Sequence, residues 1–108
     1  MVSIQMTLED SRSSLQGTFE AICDHVYFQP PASVKMTYPA IIYNLSDIDK
    51  RNANNTGYKI DHAYMVTLIS RDPVDERVDS LEALPLCSFN RYYSADNLHH
   101  WVFTIYHK

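Results

Sequence analysis

Residues 58–70, YKIDHAYMVTLIS, carry the longest strand signal in the chain. Side chains alternate across a β-strand, so successive residues sort onto two faces. Tyr58, Ile60, His62, Tyr64, Val66 and Leu68 form one set; Lys59, Asp61, Ala63, Met65, Thr67 and Ile69 form the other. The first half alternates, with polar groups outward. The second half is apolar on both sides, which predicts cover on both faces. Just upstream, Tyr38–Leu45 (YPAIIYNL) is apolar and β-rich, with Pro39 expected at the strand start or at an edge. Between the two runs, Ser46–Gly57 (SDIDKRNANNTG) has turn formers at nearly every position and is read as a polar loop. The expected unit is an antiparallel hairpin with an extended tip. Loops this long are uncommon in compact domains and are often functional or disordered.

The flanking segments have a different period. Thr7–His25 is expected to be a helix, with Thr7 as N-cap, Asp10 completing a weak capping box, and Glu9 and Asp10 favoured by the dipole. Leu15, Phe19, Ile22 and Val26 follow helical spacing. Gly17 weakens its middle and would admit a close neighbour. Val26-Tyr27-Phe28 is a candidate short strand ahead of Pro30-Pro31. After residue 70, Asp72 and Pro73 fit the cap and first position of a second helix. Val74, Val78, Leu81 and Leu84 lie on one of its faces, and Pro85 stops it. Leu86–Tyr93 and Leu98–His107 are two further strands around a turn at Ser94–Asn97. The order is αββαββ: one α+β domain over residues 1–108, with helices packed on one face of an antiparallel or mixed sheet.

A 108-residue domain buries a real core, but its high surface-to-volume ratio favours association. Eight tyrosines suit strands and interfaces, since the ring buries while the hydroxyl stays wet. The net charge of −4 argues against a sequence-independent nucleic-acid binder. Cys23 and Cys87 have no metal or redox spacing and read as buried free thiols. No signal peptide is expected from MVSIQMTLEDSRSS, and no apolar run approaches membrane-spanning length.

The sequence offers little to carry catalysis. Five histidines, at 25, 62, 99, 100 and 107, lack any metal-ligand spacing. His99 and His100 point to opposite faces of one strand, and His99 and His107 are roughly 26 Å apart along it. Asp47-x-Asp49 resembles the start of a calcium loop, but Asn52 and Tyr58 occupy the positions that need Gly and Glu. Two glycines, Gly17 and Gly57, are too few for a phosphate-cradling loop or a nucleophile elbow. Tyr92, Tyr93, Trp101 and Tyr106 would need more basic neighbours than Arg91 and Lys108 to act as a base-stacking platform. No cofactor, metal or catalytic residue is expected. The feature that stands out is Lys50 and Arg51 among Asn52, Asn54 and Asn55. It reads either as a solvated loop or as a segment that orders against a partner.

Tyr38-Pro-Ala-Ile-Ile-Tyr43 resembles the YP-x-I-x-Y strand of siphophage tail terminator proteins, also called tail completion proteins. Ala53-Asn54-Asn55 and Tyr58, then Tyr64–Pro73 and the closing Trp101–Tyr106, continue the resemblance over roughly residues 5–108. These are patterns of strand residues and contain no chemical signature. The resemblance implies a non-enzymatic virion protein at the tail–neck junction, assembled in the host cytoplasm. It implies a homo-oligomeric ring, a hexamer, that caps the tail tube protein and docks to the head completion or connector protein. DNA passes through such a ring without specific binding. The expected subunit and partner contacts are Asp47, Asp49, Lys50, Arg51, Asn52, Asn54, Asn55 and Tyr58 of the hairpin loop. The alternatives are another head-to-tail connector or a tail tube component. From a different class come a host-directed regulatory or binding module, and a small hydrolase or nuclease using His62 with Asp61 or His99.

Overall fold

A computed structural model of the protein describes residues 8–31, 33–52 and 58–107. The elements are helix α1 (Leu8–Glu20), strands β1 (Val26–Phe28), β2 (Ala40–Asn52) and β3 (Tyr58–Ser70), helix α2 (Arg77–Glu82), and strands β4 (Cys87–Ala95) and β5 (Leu98–His107). The strands form one sheet in the order β1-β2-β3-β5-β4. β1 runs parallel to β2; the other neighbours are antiparallel. The fold is α+β with a mixed sheet, as the order of periodicities predicts. No described helix is long and apolar enough to cross a membrane.

Alternation decides where the core sits. Ile41 and Tyr43 of β2, Tyr64, Val66 and Leu68 of β3, and Trp101, Phe103 and Ile105 of β5 line one face. Leu15 and Phe19 of α1 and Leu81 of α2 join them in a single buried cluster, so both helices lie on that face. Phe19 meets Tyr43 edge-on at 5.0 Å between ring centroids. The fully buried Tyr43 donates its hydroxyl hydrogen bond to Gln16 Oε1 at 2.5 Å. Burying a side chain of this size contributes roughly 1.5–3 kcal/mol, and the hydroxyl is satisfied as a buried polar group must be.

The other face has no helix packed on it among the described residues. Ala63, Ile69 and Val102 are buried there, but Met65 is 37 % exposed and Tyr106 49 %. The predicted two-sided cover of residues 64–69 is therefore incomplete within one chain.

Three boundaries differ from expectation. α1 stops at Glu20 rather than His25; the chain tightens there, with the Ile22 and Cys23 N–H groups both bonded to the Phe19 carbonyl. Thr7 lies outside the described residues. α2 begins at Arg77, not at Pro73, because Asp72 caps a turn: its Oδ1 accepts from Val74 N–H at 3.0 Å. Val74, expected on the buried face, is 84 % exposed, while Leu81 is buried and Val78 and Leu84 pack against the core. The closing hairpin is tighter than expected. β4 runs to Ala95, and Asp96 and Asn97 both take positive φ, 53° and 63°, as a two-residue hairpin turn requires.

Gly17 admits no close neighbour. A Cβ built there meets nothing within 4 Å. Gly17→Ala should therefore stabilise the domain by about 1 kcal/mol through helix propensity alone. A rise in the denaturation midpoint at unchanged m-value checks this; a fall would mean the site is occupied.

Candidate functional site

Within the polar stretch after Leu45, residues 46–52 are not loop but strand. β2 and β3 pair from Ala40↔Ile69 to Asn52↔Tyr58, with one shift of register between Leu45 and Asp47. This corrects the expectation that Asp47, Asp49, Lys50, Arg51, Asn52 and Tyr58 form a loop: all six have strand backbone. Asn54 and Asn55 lie outside the described residues. β1 pairs only with Ile41–Tyr43, and Gln29 continues along that edge, bonding Tyr43 and Leu45. β5 reaches β3 only as far as His62. Beyond these points the two strands project as a two-stranded ribbon, its outer β2 edge unpaired from Ser46 to Asn52 among the described residues. The molecule accordingly measures 51 × 24 × 23 Å.

A β-bulge marks the base of the ribbon, where Ser46 is the extra residue between Leu45↔Tyr64 and Asp47↔Ala63. Its hydroxyl donates to the Ala63 carbonyl at 3.0 Å, which holds the bulge.

The opposite edge of the sheet is β4, nine residues long with another bulge at Asn90. Only Cys87 of this strand is partly buried. Phe89, Tyr92 and Tyr93 are 49 %, 47 % and 40 % exposed, and Leu86 just before them is 69 % exposed. Leu86 also takes a left-handed backbone, φ 59°, which is costly for a branched side chain. Rings brace this edge from both sides. Tyr93 stacks on His100 at 4.5 Å with Arg91 over its ring, and Tyr92 packs on His99 and Trp101. Long apolar edges template pairing with another chain, and monomeric proteins usually block them. β4 carries one charge, Arg91, and no proline. Sequence reasoning missed this edge because local pattern does not say which strand ends outermost.

The histidines do not converge. His62 pairs with His107 in register and His99 with Ser70, so His62 and His99 stand eight residues apart along β3, roughly 26 Å. His62 is buried with no hydrogen-bond partner at Nδ1. Among the described residues no group of three or more His, Cys, Asp or Glu is placed to hold a metal. Both cysteines are free; Cys23 is buried, whereas Cys87 is only partly so, and burial pushes its thiol up to about 11.

A small cavity of about 250 Å³ lies at the sheet end, lined by Tyr38, Ser70, Arg71, Asp72, Asp75 and Arg77. Two of its charges are paired, while Arg77 Nε is buried without a hydrogen-bond partner. Asp75 accepts from Arg77 N–H at 2.9 Å and from the Arg77 guanidinium at 3.2 Å. Burial pushes the Asp75 carboxyl up, but hydrogen bonds from the Arg77 backbone, Ser70 and the Arg77 side chain outweigh it and hold it below its usual value. A depressed folded pKa contributes stability that is present above the unfolded value, near 3.9, and lost as pH falls through the folded one. Stability should thus decline below about pH 4. Asp75→Asn should flatten that part of the acid profile in a pH series of thermal melts; an unchanged slope would assign it to other carboxylates.

No protein-family model matches the sequence, and comparison with curated proteins gives no match.

Proposed function

We propose that this chain is a structural virion protein: a ring-forming tail terminator that caps the tail tube and joins it to the head-side connector. The observation that carries the reading is the outermost β4 edge with Leu86, Phe89, Tyr92 and Tyr93 exposed. A sheet with an open edge on each side is satisfied by association, and head-to-tail association gives a ring when the rotation from copy to copy closes. The projecting ribbon gives each copy an arm to reach a neighbouring subunit or ring. The resemblance of YPAIIY and the strands that follow to siphophage tail terminators supplies the place in the particle and the hexameric count. A net charge of −4 suits a bore that passes DNA without holding it, because repulsion discourages phosphate binding. The role requires no catalytic residue and no cofactor.

The test is mass in solution together with a capping assay. Purified protein should form a discrete ring-sized oligomer, alone or on tail tubes, and tubes lacking it should fail to join heads. A chain that stays monomeric at every concentration, and on tubes, sinks the reading. Incorporation along the length of the tube would instead make it a tube component.

A further inference from the structure

The two open edges of the sheet are complementary to each other, and this goes further than ring formation in general. We propose that copies join by β4 of one chain pairing antiparallel with the free outer edge of β2, Ser46–Asn52, in the next, so that one sheet runs continuously around the assembly. This rests on the assembly reading and specifies its joint.

Direction is the first argument. β2 is antiparallel to β3, β3 to β5, and β5 to β4, so β4 and β2 run in opposite senses. If the sheet continues into the next copy with the same face inward, β4 meets the neighbour's β2 as an antiparallel pair, the more stable arrangement. Length is the second: β4 offers nine residues and the free β2 edge seven.

Stagger is the third, and it separates a ring from a two-fold dimer. Arg91, the middle of β4, is level with Val102, Thr67 and Ile42. The middle of the free edge, position 49, pairs with Asp61, six residues along β3 from Thr67. Each joint therefore advances along the strands by roughly 20 Å, while the four strands the circuit crosses in each copy, β2, β3, β5 and β4, span roughly 19 Å. The strands then tilt by about 46°, at the upper limit of the range that closes β-barrels, whatever the number of copies. A dimer through β4 alone needs no stagger and leaves the ribbon edge unused.

Residue type agrees. Position 49 falls in the register set of Ala63 and Met65, on the open face, as Arg91 does. The pairing sets Arg91 against Asp49 and Tyr93 against Asp47, opposite charges and an aromatic at facing positions. The helices would then form the outer layer, and the half-exposed Met65 and Tyr106 would face the bore.

The full chain is made with Arg91→Cys, with Asp49→Cys, and with both, checked for parental circular dichroism and melting, then oxidised mildly. Mixing the two single variants should give a covalent dimer absent from the unsubstituted chain. The double variant should give a ladder of multimers, and neither single variant should cross-link alone. Dimers from Arg91→Cys alone would overturn the proposal in favour of a two-fold β4 joint. No cross-link in the mixture, with oligomers still seen by light scattering, would overturn this joint but leave assembly standing. A monomer by light scattering at every concentration, with no ring on tail tubes, would remove the assembly reading itself. If Arg91→Cys or Asp49→Cys misfolds, Tyr93→Cys with Asp47→Cys probes the next facing pair under the same criteria.

Discussion

Replacing Phe19 by alanine is expected to cost about 3–5 kcal/mol, the range for deleting a fully buried aromatic ring. Phe19 has no exposure and is α1's contact with the Tyr43 ring. Its loss opens a cavity between helix and sheet, among Leu15, Ile41, Tyr43 and their neighbours, that β-sheet backbone cannot collapse to fill. Small domains have only about 5–15 kcal/mol in total, so the change removes a large share. At this chain length the melting temperature should fall by at least about 12 °C. Phe19→Leu, which keeps much of the volume, should fall distinctly less. A drop below about 5 °C for the alanine variant would show that α1 is not anchored through this ring.

Deleting Asp49–Asn55 is the matching experiment on the other side of the molecule. The pair Ile48↔His62 stays, and residues 56–61 become the connection, so the sheet body and the buried cluster are untouched. Circular dichroism and melting should stay close to those of the parent. Assembly should be abolished, because the deletion shortens the free β2 edge to three residues and removes the end of the arm. The two variants make a dissociation: one destroys the fold, the other only what the fold presents. Normal rings or normal tails from the deleted chain would show the ribbon to be a connector and nothing more.

Much of the fold is legible in the sequence because period and burial agree there. Leu15 and Phe19 sit at helical spacing and both are buried; Tyr64, Val66 and Leu68 alternate and all three are buried. Residues 46–52 were not legible for a definite reason. Ser, Asp and Asn favour turns locally, since their side chains bond their own backbone. What makes this stretch a strand is its pairing with residues 58–63, a non-local interaction that local propensity does not contain. The start of α2 failed similarly: Asp72-Pro73 is a capping signal, and it was spent on a turn one step before the helix. The candidate site divides along the same line. The sequence marked the ribbon residues by composition. The β4 edge has ordinary strand composition, and its importance comes only from being outermost in the order β1-β2-β3-β5-β4.

The bulge at Ser46 separates two properties of the ribbon that a regular strand would tie together. With or without that extra residue, Asp47 still meets Ala63, and the strands beyond keep the same phase and the same faces. What the extra residue changes is direction, because a bulge bends the strand and tightens its twist. Removing Ser46 should therefore leave the ribbon zipped but aimed elsewhere. In an assembly built through that arm, a single residue outside the core would then set the curvature from one copy to the next, and with it the width of the hole the copies surround.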